Sequence, residues 1–224
     1  MKWTQTAGIG IGIAGGVFVG WLARGAAAPA GAPAPAAAFA ALPDVRQSTT
    51  FSCGASVLQA ILFYYGIEMR EDALMEAART TEAYGTHPED ILRVAREQGL
   101  RAELREGLAL SDLEAAAARG VPVVVALQAW TDAPDRVDWA RDWEDGHYVI
   151  VVGIDKDNVI VEDPSLLGCR GFIPRPEFLD RWHDYEGEPP FDPKDKADRA
   201  YVRMGMFIES GRPPAPGRPF CRVN

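Results

Sequence analysis

The apolar residues of this chain change their period near Gly120, and that change sets the fold class. From Cys53 to Tyr65, residues Val57, Leu58, Ile61 and Leu62 recur as on one helix face. Glu71 to Ala78 and Pro88 to Gln98 follow the same spacing, the latter opened by Thr86-His87-Pro88 with its proline near the first turn. Leu110 to Arg119 reads as another short helix, capped by Ser111 and ended by Gly120. Beyond Gly120 the pattern is that of strands. Val123 to Trp130 is Val-rich and opened by Pro122. His147 to Ile154 and Val159 to Glu162 flank the polar run Asp155-Lys156-Asp157-Asn158 and predict a hairpin. Pro176 to Trp182 returns to a helix, with Gly171-Phe172-Ile173-Pro174 as its lead-in, and Tyr201 to Ile208 is a last strand. Helices first and sheet second predict an α+β domain, its N-terminal helices packed on a C-terminal antiparallel sheet.

Composition marks the flanks. Residues 1–42 carry Lys2, Arg24 and no acid, which leaves 21 basic residues against all 32 acidic ones, a net of −11. A body so acidic excludes a phosphate-binding, nucleic-acid surface. Ala7 to Ala23 is uncharged and mostly apolar between Lys2 and Arg24, so residues 1–24 read as a signal peptide or a membrane anchor and imply an extracytoplasmic protein, secreted or membrane-anchored. Residues 25–42 form an Ala/Pro-rich linker, 43–210 the folded domain, and 211–224 a Pro/Gly-rich tail. In an exported domain, a Cys169–Cys221 disulfide would tie the tail down and leave Cys53 free.

Three stretches carry chemistry: Gln47 to Gly54, Gly146 to Val151, and Val161 to Ser165. Cys53 opens an amphipathic helix behind Ser52, the expected N-cap. A helix N-terminus presents free N–H groups and a partial positive charge, which favour the thiolate, the useful nucleophile. Gly54 leaves room beside it for a substrate backbone. Gln47, six residues upstream, offers an amide that a turn could aim with the Cys53 backbone N–H at one oxyanion. His147 would act as base and Asp163, after the next strand, would orient its imidazole. The hairpin register decides whether they meet. A two- or four-residue loop centred on Lys156-Asp157 sets Asp163 opposite Ile150, facing away from His147; an odd loop or a bulge sets it on the His147 face.

Gln47, the Cys53-Gly54 pair, Gly146-His147-Tyr148-Val149 and Asp163-Pro164 together resemble the C39 and C39-like families of papain-like cysteine peptidases, over roughly Leu42 to Ser210. The resemblance implies a papain-like fold and a peptide or protein substrate, with Cys53 as nucleophile, His147 as base, Asp163 as orienting residue and Gln47 as oxyanion donor. C39 peptidases typically cut leader peptides after Gly-Gly, often as part of an ABC exporter. This sequence has Ser52 where leader peptidases usually have an acid, and its 224 residues contain no Gly-x-x-x-x-Gly-Lys-Ser/Thr run. Amidase or transpeptidase action on cell-wall peptides uses the same triad. A non-catalytic peptide-binding module is the rival reading. A metal site of Cys53, His147 and Asp163 lacks any ligand-spacing motif, and no cofactor is implied.

Gly54, Gly146 and Trp143 are the candidate substrate contacts. Trp143 shares the segment before His147 with Trp130, Trp139 and six acidic residues. That segment reads either as a cleft wall whose acidic rim favours basic peptides, or as a solvated loop whose tryptophans cover the core. His87 reads as a helix-start residue and His183 as a surface residue at a helix end.

Overall fold

A computed structural model describes residues 39, 42–132, 136–187, 190–195, 198–211 and 213–214. The N-terminal segment 1–24 and Cys221 lie outside the described residues, so the export segment and the Cys169–Cys221 pairing do too; Cys169 itself is exposed. Among the described residues no helix is long and apolar enough to cross a membrane.

The Val-rich segments form the middle of an antiparallel sheet because both their faces are covered. Strands β1 (Arg101–Arg105), β2 (Val123–Gln128), β3 (Gly146–Ile154), β4 (Asn158–Glu162), β5 (Gly171–Pro174) and β8 (Gly205–Glu209) lie in the order β1-β8-β2-β3-β4-β5. Every residue of β2 is buried, as a strand with helices on both sides requires. On one face pack α1 (Cys53–Tyr64), α2 (Glu71–Ala77) and α3 (Pro88–Glu97), which bury Leu58, Ile61, Leu74 and Ile91 against Val124, Ile150 and Val152. On the other face α4 (Leu110–Ala118) and α5 (Arg175–Arg181) bury Leu113, Phe178 and the following Trp182 against Val125, Val149 and Val151. Phe39 and Leu42 belong to the first core, although composition alone places them in the linker.

Several local expectations give way to tertiary contacts. The last strand is two: Arg203 adopts a φ of 53° and separates β7 (Arg199–Val202) from β8. β7 pairs with β6 (His183–Glu186) in a separate two-stranded ribbon. His183 is therefore buried in a strand, and its Nε2 lies 2.6 Å from the Asp142 carbonyl. The lead-in Gly171–Pro174 is an edge strand paired with β4. Ser111 does not cap α4: the helix starts after Ala109, whose N–H donates to Asp112 Oδ2 at 2.8 Å.

The β3–β4 hairpin resolves its register by a bulge. Asp155 N–H bonds the Asn158 carbonyl at 2.9 Å, closing a two-residue loop at Lys156-Asp157. Asp155 Oδ1 accepts from the N–H groups of Asp157 and Asn158, an Asx-type turn. Ile154 then faces Val159 and Gly153 faces Ile160. The register shifts by one between Val151 and Gly153, so that Val151 faces Val161 and Ile150 faces Glu162. Continued, the shifted register sets Asp163 opposite Val149, on the His147 face.

Candidate active site

The His147 side of the site is set by the sheet. His147 pairs with Leu127 near the start of β3, and Asp163 follows the last residue of β4. Both are only 7% exposed. Nε2 of His147 and Oδ1 of Asp163 are 2.7 Å apart. Asp163 is itself fixed: Oδ1 accepts from Ser165 N–H at 2.8 Å and Oδ2 from Trp130 Nε1 at 3.1 Å. Trp130 holds a φ of 64°, a strained value for a non-glycine residue of the kind that gathers at functional sites. Nothing in sequence periodicity marks that contact.

Nε2 being taken by Asp163, Nδ1 is the ring atom left to face Cys53, which lines the same cleft. Burial pushes the His147 pKa down, but the hydrogen bonds to Asp163 and Cys53 and the charges of both outweigh it and hold the ring up at about 10. Burial pushes Asp163 up, and the His147 hydrogen bond and charge, Ser165 N–H and Trp130 bring it below the ordinary value. Each group thus favours the charged form of the other.

The Cys53 side is set by a turn. Cys53 is the first residue of α1, partly buried, and no side chain caps the helix. Ser52 sits at the N-cap position but its hydroxyl faces backward, accepting from Thr49 N–H at 3.1 Å. The first-turn N–H groups of α1 are left to face the sulfur and whatever binds beside it. The turn is pinned from below by Glu71 of α2, which accepts from Ser48 N–H at 2.9 Å and Ser56 Oγ at 2.8 Å.

Gln47 is on this turn. Its backbone N–H donates to the Pro164 carbonyl at 2.9 Å, beside Asp163, and its Nε2 donates to the Thr49 carbonyl at 2.7 Å. One hydrogen of the carboxamide is therefore committed to the turn. Just upstream, Val45 N–H donates to Glu162 Oε1 at 2.9 Å, and Glu162 pairs with Arg170.

A cleft of about 730 Å³ opens above Cys53 and His147. The Ala83–Pro88 connection borders it on one side, and Trp143, Gly146 and β6 on the other. Trp143 and Gly146 do line it. Gly54 does not; it faces Thr86, whose Cβ would stand 2.7 Å from a Cβ at position 54, so the glycine makes room for packing rather than for substrate. The segment before β3 divides its tryptophans: Trp143 walls the cleft, Trp130 braces Asp163, and Trp139 lies 3.6 Å beneath the Arg181 guanidinium.

Comparison with known proteins agrees with this architecture. The model of the Peptidase C39 family matches residues 42–186, and the chain belongs to that family. An uncharacterized protein of Methanothermobacter marburgensis is 27% identical over 123 residues, covering 54% of this chain and 71% of its own. Among solved structures, a C39-like peptidase from Bacillus anthracis aligns with a TM-score of 0.53 at 16% identity, over 76% of this chain and 96% of its own. The peptidase domain of Streptococcus ComA, a bi-functional ABC transporter of a quorum-sensing pathway, aligns with a TM-score of 0.51 at 18% identity, over 74% and 96%. The folded unit is a papain-like, cysteine-peptidase-like domain.

Proposed function

We propose that the protein hydrolyses peptide bonds with Cys53 as nucleophile, His147 as general base and acid, and Asp163 as the residue that orients His147. The observation that carries this reading is the buried His147–Asp163 pair, Nε2 to Oδ1 at 2.7 Å, in one cleft with the helix-terminal Cys53. The raised basicity of His147 suits it to take the thiol proton as the sulfur attacks. The sulfur attacks the substrate carbonyl carbon and a tetrahedral oxyanion forms. The Cys53 backbone N–H and the second amide hydrogen of Gln47 are its proposed donors. His147 gives its Nδ1 proton to the leaving amine, the C–N bond breaks, and an acyl-thioester remains on Cys53. Water, losing a proton to His147, then attacks the thioester, and the acid and the thiolate–imidazolium pair are released.

The test is digestion of a proteome-derived peptide library by the purified protein and by Cys53→Ala. Wild-type cleavage, with loss of roughly 10⁴-fold or more in the variant, is expected. Equal cleavage by the two, or none by a folded wild-type protein whose Cys53 reacts with iodoacetamide no faster than Cys169, would sink the reading.

A further inference from the structure

One wall of the cleft takes no part in these steps. Asp184 of β6 lies directly beneath Gly146, where a Cβ would stand 2.7 and 2.8 Å from its two carboxylate oxygens. The absent side chain keeps that carboxyl open to the cleft, which Asp184 lines. Oδ1 accepts from Tyr185 N–H at 2.9 Å and from Gln128 Nε2 at 3.4 Å. Among the described residues no hydrogen bond reaches Oδ2, and neither Lys nor Arg lines the cleft. Burial pushes the Asp184 carboxyl up to about 7, against the Tyr185 N–H, Gln128 and the charge of His147, while Glu186 adds to the rise. A carboxyl so placed lacks a cation of its own.

The surroundings suit one. Trp143 is fixed on the wall by Phe191, stacked at 4.3 Å, and by His183 at 4.2 Å, with Tyr185 edge-on at 6.5 Å. Glu186 stands on the same wall, bridged at 2.7 Å to His87 from the other side. A partly desolvated carboxylate beside fixed aromatic rings attracts an ammonium or guanidinium group through charge-assisted hydrogen bonds and ring faces. Neutral side chains gain neither term.

We propose that Asp184, under Gly146 and beside Trp143, is the floor of a subsite for a cationic group of the substrate peptide. This rests on the peptidase reading of the cleft. Gly146 directly precedes His147, so the subsite adjoins the reacting centre. The group is either a Lys or Arg side chain near the scissile bond or the α-ammonium of the peptide.

The experiment compares peptides cut by the wild type, matched in pairs with Lys or norleucine next to the scissile bond, each with a free or an acetylated N-terminus. The ratio of kcat/KM within each pair is read for wild type, Asp184→Asn and Gly146→Ala. Wild type is expected to favour the cationic member by about tenfold or more, and both variants are expected to bring that ratio to about two or below. A ratio that follows Lys identifies the side chain; one that follows acetylation identifies the α-ammonium. Equal rates for all pairs in wild type, or a preference unchanged in either folded variant, would overturn the subsite while peptidase activity stands. Calorimetric binding of the same peptides to Cys53→Ala gives a readout apart from turnover. Cation-selective binding that Asp184→Asn abolishes, with no hydrolysis by wild type, would keep the subsite and fell the peptidase reading instead.

Discussion

The two halves of the site are held by opposite means. His147 stands on β3 and Asp163 just past the end of the neighbouring β4, in the middle of a sheet buried on both faces, and their meeting depends on register. Cys53 and Gln47 stand on a turn that hydroxyls, backbone groups and Glu71 fold into place. Register changes in whole residues and reverses a side chain's face with each step. A turn relaxes by fractions of an ångström. The sheet half should therefore fail outright when disturbed, and the turn half by degrees.

The sharpest way to break that contrast is to insert one Ala between Glu162 and Asp163. The carboxylate would move opposite Tyr148, off the His147 face, and kcat/KM in a peptide assay should fall about 10²–10⁴-fold with the circular dichroism spectrum kept. Activity within tenfold of wild type would show that register does not govern the pair. On the turn side, Gln47→Ala is expected to lower kcat about 10²–10³-fold if the carboxamide donates to the oxyanion. A change confined to KM or to thermal stability would assign it to the turn alone, through Thr49.

The third prediction concerns pH. His147 is raised from 6.5 to about 10 in the folded protein. Its contribution to stability is then fully present below about pH 6.5 and lost as pH rises through 10. Urea unfolding of wild type should lose stability on the order of 3–4 kcal/mol between pH 7 and 10. Asp163→Asn, which removes the charge beside the imidazole, should flatten that slope, and an equal slope in both proteins would contradict it. The smallest effect is expected from Trp130→Phe. It leaves Asp163 Oδ2 without its indole donor but keeps the His147 bond, so kcat/KM should drop roughly 3–10-fold. No change at all would make Trp130 a cover for the core rather than a brace.

What the sequence made legible divides along the same line. The α1 helix, the β3–β4 hairpin and the meeting of His147 with Asp163 rest on local period and on turn chemistry, which a sequence displays. The hairpin reduces the meeting of His147 with Asp163 to one requirement, a bulge or an odd loop, although nothing in Val151-Val152-Gly153 says which. Illegible were the contacts made by residues far apart along the chain. His183 looks like a helix end until β7 pairs with it, and Asp184 reaches the cleft only because that ribbon folds beneath Gly146. The segment before β3 is acidic, but among its described acids Glu144 alone lines the cleft, and the carboxylates beside it come from β6. Ser52 and Ser111 failed as caps because a hydroxyl's choice among nearby N–H groups is settled by packing.

Glu162, the last residue of β4, and Asp163, the next, point to opposite faces and hold the two ends of a short span. Asp163 holds the imidazole; Glu162 holds Val45 N–H, and the next carbonyl, of Pro164, receives Gln47 N–H. The segment that leads to Cys53 is thus gauged against the same three residues that carry the Asp163 carboxylate. The spacing across the site is therefore set by one short stretch of chain, like the gap of a caliper, rather than by two independent contacts.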